Sequence, residues 1–151
     1  MIPTKKITMS EYNRLINYQK INFGGEATIC ESDNPYTVYK IFNKCGKPIS
    51  MGKNKKKKLE ILYNLKPENS TEIISTISLY DMIIGYEMST DYGLETYKTY
   101  ELSPEELKWY LEESKRILEY YSSLGIIYGD VNPRNILFDR NTGEIQFCDM
   151  D

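Results

Sequence analysis

Several residue types that build common catalytic and metal centres are scarce or missing from this sequence of 151 residues. It contains no histidine, which excludes His-dependent catalytic triads and most catalytic zinc centres. Its three cysteines show no CxxC or Cys/His spacing, so we interpret them as free thiols of a reducing compartment rather than as zinc ligands. Carboxylates, amides and lysines remain as candidates for chemistry.

Long apolar runs are missing as well. No run approaches the length needed to cross a bilayer, and the first residues lack the apolar core of a secretory signal peptide. We therefore expect a cytoplasmic protein without a membrane partner. The sequence is 40% hydrophobic and 27% charged with a net charge of −3, which is ordinary for one compact domain and indicates no nucleic-acid partner.

One cluster of charge departs from this average. Five lysines lie within six residues: Lys53, Lys55, Lys56, Lys57 and Lys58. Such a run can bind an acidic or phosphate-bearing partner, but more often it is a solvated loop and helix start. We favour the solvated interpretation here.

Local patterns predict an α+β arrangement. A capping box at Thr8–Glu11 opens a helix that ends near Tyr18, and apolar spacing predicts a second helix over 52–65. Ser103 and Pro104 open a third helix of about twenty residues that Gly125 closes. Its buried stripe is expected to contain Leu107, Tyr110, Leu111, Leu118 and Tyr121. Strands are expected at 19–23, 27–32, 36–42, 72–79, 82–88, 126–128, 136–138 and 145–148.

The most informative segment is YGDVNPRNILF, residues 128–138. Asp130 stands in a loop, with Asn135 five residues on and an apolar strand after it. Such an Asp can accept the proton of an attacking hydroxyl, while the Asn amide oxygen reaches a divalent cation. Fourteen residues past Asn135, Asp149 follows a second apolar run, where its carboxylate would bridge magnesium to nucleotide phosphates.

These segments resemble the protein-kinase superfamily. YGDVNPRN stands where HRDLKPEN is typical, and Asp149-Met150-Asp151 stands where DFG is typical. The resemblance implies ATP and Mg²⁺ as cofactors, Asp130 as the catalytic base, and Asn135 and Asp149 as metal ligands. Asp151, where the family has glycine, would either help to hold magnesium or face solvent.

Upstream residues extend the resemblance. Lys40 stands in the setting of the family's phosphate-binding lysine, and Glu60, twenty residues later, at the spacing of the glutamate that holds it. The family's glycine-rich turn is matched by residues 22–29, in which Gly24 and Gly25 would cover the phosphates. The other nucleotide-binding candidates that the resemblance implies are Asn22, Ala27, Ile29, Val38, Met88 and Leu137. Each motif is weak alone, and their order and spacing carry the resemblance.

The resemblance implies an antiparallel β-sheet lobe with one helix, followed by the start of a helical lobe. We expect an N-terminal helical extension over 1–18, the ATP-binding lobe over 19–90, and a partial second lobe with the long helix and the catalytic-loop hairpin over 91–151. The rest of the second lobe would come from the parent chain or from another chain. Without it, part of the long helix's apolar stripe would be exposed.

Three functions stay open. The first is a divergent Ser/Thr protein kinase of microbial type, with a protein substrate. Gly129 stands in place of the family's arginine and Asn132 in place of its lysine. Such a loop resembles certain divergent microbial protein kinases and also aminoglycoside and sugar phosphotransferases, so the second function is a phosphotransferase that acts on small molecules. The third is a nucleotide-binding pseudokinase or interaction module without turnover. In the plainest interpretation, Lys40 and Glu60 are a surface ion pair and the loop acids are turn formers.

Overall fold

A computed structural model describes residues 1–90 and 94–150. These residues form two compact units. The first contains Met1–Lys66 and Glu72–Thr90, and the second contains Pro67–Thr71 and the described residues from 94 onward. Within the described ranges, no helix has the length and apolar character needed to span a bilayer.

The first unit is a seven-stranded sheet with two helices. Its strands are β1 (Thr4–Ile7), β2 (Lys20–Phe23), β3 (Ala27–Glu31), β4 (Thr37–Lys44), β5 (Lys47–Pro48), β6 (Ile73–Leu79) and β7 (Met82–Ser89). Its helices are α1 (Met9–Tyr18) and α2 (Lys53–Leu65). The strand order is β1-β6-β7-β4-β3-β2, with β5 paired to β4. The expected antiparallel sheet is present, and the short strands β1 and β5 are additions, of which β1 pairs in parallel with β6.

Helix α1 begins where the capping-box pattern predicts. The Thr8 side chain accepts the N–H of Glu11 at 3.2 Å, and the Glu11 carboxylate accepts the N–H of Thr8 at 2.6 Å. These two bonds satisfy donors that an uncapped helix would leave to solvent. The helix then buries Tyr12 and Leu15 in the core of the first unit.

The two faces of the sheet differ in burial. Strand β3 alternates half-buried Ala27 and Ile29 with buried Thr28 and Cys30. The buried face joins the core, in which Cys30 packs with Tyr39 and Ile41 of β4 and with residues of α1. Because side chains alternate along a strand, Ala27 and Ile29 lie on the opposite face, which is half-buried at β3 but buried at Lys40 and Phe42 of β4.

The second unit is built on a long helix and a hairpin. Its elements are a 3₁₀ turn at Thr99–Glu101, α3 (Pro104–Ser123), a 3₁₀ turn at Pro133–Asn135, β8 (Ile136–Phe138) and β9 (Ile145–Phe147). The Ser103 side chain accepts the N–H of Glu106 at 3.2 Å, and Gly125 follows the helix with a positive φ of 77°. Both ends of α3 therefore agree with the predicted signals.

The buried face of α3 is turned relative to the prediction. Its buried residues are Tyr110, Ser114, Ile117 and Tyr121, whereas Leu107 and Leu118 are half-buried. Leu111 is 55% exposed and so does not join the buried stripe, in agreement with the expectation that part of the stripe lacks cover. The hairpin sets the buried face, because Tyr110 packs on Phe138 and Tyr121 packs on Phe147, each with ring centroids 5.7 Å apart.

The strand expected at 126–128 is also wrong, since these described residues join no β-ladder. The N–H of Ile126 bonds to the carbonyl of Tyr121 at 2.9 Å and so closes the end of α3. Strands β8 and β9 pair with each other. Tyr128 instead reaches the hairpin through its side chain, whose ring centroid lies 5.0 Å from that of Phe147.

Candidate functional site

Lys40 lies in the middle of β4. Its neighbours across the ladder are Ile29 of β3 and Tyr86 of β7. The residue is only 9% exposed, and its Nζ lies 5.5 Å from the Phe42 ring centroid and 5.7 Å from that of Tyr86. The sheet thus holds a largely buried ammonium group against two aromatic rings, where cation–π attraction stabilises the charge.

An apolar row accompanies this ammonium group. Val38 stands two residues before Lys40 and opposite Met88, and Ile29 stands opposite Lys40 with Ala27 two residues before it. Residues directly opposite in an antiparallel pair share a face, as do residues two apart in one strand. These four predicted residues therefore share the face of Lys40, and all four are half-buried. A partly open apolar surface beside a cation can bind a heterocycle that carries phosphates.

The predicted glycine turn joins β2 to β3. The N–H of Gly24 bonds to the carbonyl of Ala27 at 2.8 Å, which closes the hairpin. The Asn22 side chain accepts the N–H of Phe23 at 2.8 Å. Gly24 and Gly25 are both exposed at the turn, and a Cβ on Gly25 would meet nothing within 4 Å.

Helix α2 directs the Lys55 side chain toward the sheet. Lys55 stands four residues before Leu59 and seven before Leu62, the two buried leucines of the helix. Its side chain is 29% exposed, and its Nζ lies 4.4 Å from the Phe42 ring centroid. Glu60 follows Leu59 and is exposed. The pairing of Glu60 with Lys40 stays a prediction.

In the second unit, Asp130 and Asn135 lie together. The Nδ2 of Asn135 donates to the Asp130 carboxylate at 3.0 Å and to the Asp130 backbone carbonyl at 3.1 Å. The Asn132 side chain accepts the N–H of Arg134 at 2.9 Å and caps the 3₁₀ turn that carries Asn135. The loop therefore holds an exposed carboxylate in a defined orientation.

The backbone connects Asn135 to Asp149. The N–H of Cys148 donates to the carbonyl of Asn135 at 3.0 Å, and the Tyr128 hydroxyl donates to the carbonyl of Cys148. Asp149 is exposed and adopts a left-handed φ of 63°, an uncommon conformation for a residue other than glycine. Asp149 therefore adjoins a residue whose N–H and carbonyl are both hydrogen-bonded.

The electrostatics of Tyr128 reflect this arrangement. Burial raises the pKa of its hydroxyl above the ordinary value, and the charges of Cys148, Asp149 and Asp130 raise the pKa further. The phenol therefore stays neutral and keeps its donor hydrogen at physiological pH. Both candidate carboxylates lie near enough to act on the same hydroxyl.

The oxygen donors of the second unit fit magnesium. The Asp149 carboxylate and the Asn135 amide supply hard oxygen ligands, and Mg²⁺ in nucleotide sites is usually bound by one or two carboxylates together with phosphates. Within residues 1–90 and 94–150, no group of three or more acidic or thiol side chains could hold a metal ion. Asn135 and Asp149 could hold a cation that also binds the phosphates of a nucleotide. Asp151, the expected second acid, lies outside the described residues, and Leu137 is half-buried on β8.

Comparison with known proteins shows that this sequence is similar to those of several protein kinases. No family model matches the chain. The mitogen-activated protein kinase HOG1 of Eremothecium gossypii is 27% identical over 147 residues, which cover 91% of this chain and 32% of the relative. HOG1B of Wallemia ichthyophaga is 24% identical over 151 residues, covering 91% of this chain and 39% of the relative. HOG1 of Arthrobotrys oligospora is 26% identical over 151 residues, covering 91% and 41%.

The chain is a relative of the protein kinases. It spans about a third to two fifths of the length of these curated relatives. The predicted resemblance and the α+β fold class are thereby confirmed: the sheet unit agrees with the amino-terminal lobe of a kinase, and the long helix with its hairpin agrees with the start of the second lobe.

Two residues with contacts near the candidate site, Lys55 and Tyr128, were not among the residues predicted from sequence. Lys55 was assigned to a solvated lysine run, although its spacing from Leu59 and Leu62 was a usable signal. Tyr128 stands at the histidine position of the HRDLKPEN motif, where its type alone gives no functional role. Its bond to Cys148 depends on the fold of the hairpin and had no signal in the sequence beyond its position in the motif.

Proposed function

We propose that this kinase relative is an ATP- and Mg²⁺-dependent phosphotransferase that transfers the γ-phosphoryl group of ATP to a serine or threonine hydroxyl of a protein. The observation that carries the proposal is the hydrogen bond from Asn135 to the Asp130 carboxylate. It orients an exposed carboxylate to accept the proton of an attacking hydroxyl. The relatives, which are mitogen-activated protein kinases by name, support a protein acceptor.

The first unit would bind the nucleotide. The half-buried row of Ala27, Ile29, Val38 and Met88 offers apolar contact to the base. Lys40, on the same face, would neutralise phosphate charge, and its burial strengthens that attraction because water screens it less. Gly24 and Gly25 would lie over the phosphates with Asn22, and Glu60 would hold Lys40.

The second unit would carry the proton transfer and the metal. Asp130 would accept the proton of the acceptor hydroxyl, and Asn135 would keep the Asp130 carboxylate in place. Asn135 and Asp149 would hold magnesium, and Leu137 would contact the base. When bound, the cation neutralises charge on the transferring phosphoryl group, so the protein contributes chiefly position and electrostatic stabilisation.

A small-molecule acceptor is the second candidate. It is favoured by Gly129, which precedes Asp130 and has nothing within 4 Å of the position of a Cβ. The absence of a side chain there leaves room beside the catalytic carboxylate. Nucleotide binding without transfer is the third candidate.

Transfer of labelled γ-phosphate tests these candidates. The wild-type protein would be incubated with MgATP and, separately, a mixed protein substrate, aminoglycosides and sugars. We expect label on protein serine or threonine, loss of at least 100-fold in Asp130→Asn, and full activity in Asp81→Asn, which alters an exposed turn acid. Label only on small molecules supports the second candidate, and MgATP binding without transfer supports the third.

The compartment is part of the proposal. Cys30 is a buried thiol and Cys45 an exposed one, and an exposed thiol suits the reducing environment of the cytoplasm. The net charge of −3 gives no support to a nucleic-acid partner.

A further inference from the structure

Two lysine ammonium groups lie against one aromatic ring in the first unit. The Nζ of Lys40 lies 5.5 Å from the Phe42 ring centroid, and the Nζ of Lys55 lies 4.4 Å from it. The lysines come from different elements, since Lys40 lies on β4 and Lys55 lies near the start of α2. Cations that converge on one partly buried surface favour a ligand with several negative charges.

Lys55, like Lys56 but unlike the other lysines of the run, is half-buried. It lies one turn before Leu59 on the buried side of α2, and its side chain is 29% exposed. Lys53, Lys57 and Lys58 are exposed, as the solvated interpretation predicts. A lysine in the first turn of a helix interacts unfavourably with the helix dipole. Lys55 lies in the first turn of α2, so its charge destabilises this end of the helix. Residues that break a local rule in this way are candidates for a functional role.

An ion pair with Glu26 places Lys55 beside the glycine turn. Its Nζ lies 3.5 Å from the carboxylate of Glu26, the residue after Gly25. Glu26 is 84% exposed, and such an exposed pair contributes little to stability. Phosphate groups can therefore compete with Glu26 for this lysine at small cost.

We propose that Lys55 is a second phosphate-binding lysine, which contacts the β- and γ-phosphates of ATP together with Lys40. This inference rests on the proposed function, because it assigns another residue to the same nucleotide. Lys55 supplies a positive charge from the helix, whereas Lys40 supplies one from the sheet. The contribution of Lys55 to binding affinity therefore depends on the number of phosphates in the ligand. Lys55 makes no contact with the adenosine part.

A nucleotide series measures this dependence. Dissociation constants for ATP, ADP and AMP would be obtained by calorimetry for wild-type protein, Lys55→Met and the matched control Lys57→Met. We expect Lys55→Met to weaken ATP binding about 10-fold, the loss of one charged contact, with a smaller loss for ADP and none for AMP. Lys57→Met should stay within 2-fold of wild type for all three.

The outcomes separate this inference from the proposed function. If Lys55→Met binds ATP as wild type does, or loses ATP, ADP and AMP equally, Lys55 has no phosphate role and the proposed function stands. If wild-type protein binds no ATP, both proposals are overturned.

Chemical acetylation of lysines in the wild-type protein, with and without MgATP, tests the inference without any substitution. Mass spectrometry measures the extent of labelling at each lysine. MgATP should protect Lys55 and leave Lys57 unchanged. Equal labelling of Lys55 with and without MgATP would overturn the inference.

Discussion

The hydroxyl of Tyr128 donates a hydrogen bond to the backbone carbonyl of Cys148, the residue before Asp149. The N–H of the same cysteine donates to the carbonyl of Asn135. Both backbone groups of Cys148 are therefore held, one by Tyr128, in the loop that carries Asp130, and one by Asn135. Asp149, which has a left-handed φ, is the next residue in the chain. The hydrogen bond from Tyr128 therefore helps to position the backbone from which the Asp149 carboxylate extends.

Tyr128→Phe removes this bond and keeps the ring that packs on Phe147. We expect the free energy of unfolding to fall by about 1 kcal/mol, because the Cys148 carbonyl loses its side-chain donor. Chemical denaturation monitored by circular dichroism measures the change. Tyr100→Phe is the control, since Tyr100 is 77% exposed. Equal stability of the two variants would contradict a structural role for the Tyr128 hydroxyl.

Gly85 allows the close approach of β7 to the strand that carries Lys40. A Cβ at Gly85 would lie 2.3 Å from the Lys40 backbone carbonyl and 3.1 Å from the Ile41 Cα. Gly85→Ala must therefore move one of the two strands, and we expect it to destabilise the protein by about 1–3 kcal/mol, the usual cost of overpacking. Thermal unfolding checks this, with Gly25→Ala as the control because that position is open. A melting temperature equal to that of wild type would show that the ladder can widen freely.

The Cys30 thiol predicts a dependence of stability on alkaline pH. Burial raises its pKa to about 11 from an ordinary value of 9.0. A raised pKa in the folded state means that the stabilisation is complete below pH 9 and is lost as the pH rises toward 11, because the unfolded chain ionises first. Between pH 8 and 11, wild type should lose about 2 kcal/mol more than Cys30→Ala does.

Urea unfolding at the two pH values supplies this comparison, and Cys45→Ala serves as the reference because Cys45 is exposed. Cys45→Ala should follow the wild-type pH dependence. If Cys30→Ala loses as much stability as wild type does, the buried thiol is not the group responsible.

Glu60→Gln tests the predicted partner of Lys40. Glu60 is exposed on α2, so the substitution should change the melting temperature by less than about 1 °C. If Glu60 orients Lys40 during turnover, the rate of phosphoryl transfer should fall at least 10-fold at saturating MgATP. The exposed Glu31→Gln is the matched control. An unchanged rate in Glu60→Gln would remove Glu60 from the site.

Much of the first unit was predictable from local signals. The capping box placed α1, and the β-type runs placed β3 and β4. Strand β1 was missed because it is short and pairs with β6, which lies about seventy residues further along the chain. Strand β5 was missed because it has only two residues, although its partner β4 ends just before it. A pairing as distant as that of β1 leaves little trace in the local sequence.

The candidate residues of the site could be predicted from the sequence, but the orientation of several side chains could not. Lys40, Val38 and Ile29 share a face because strand spacing requires it. The orientation of α2, which turns Lys55 toward Phe42 and leaves Glu60 exposed, depends on how Leu59 and Leu62 pack. Similarly, the buried face of α3 follows the aromatic rings of the hairpin, which the leucine pattern of the helix could not reveal.

The central claim is that Lys40 and its face of the sheet bind a magnesium nucleotide. Isothermal titration calorimetry tests this claim most directly. Wild-type protein and Lys40→Met would be titrated with ATP in the presence of Mg²⁺ and, separately, of EDTA. We expect wild type to bind ATP more tightly with Mg²⁺ than with EDTA, and Lys40→Met to bind MgATP at least 10-fold more weakly. Absence of binding by wild type, or affinity that depends neither on Mg²⁺ nor on Lys40, would contradict the claim.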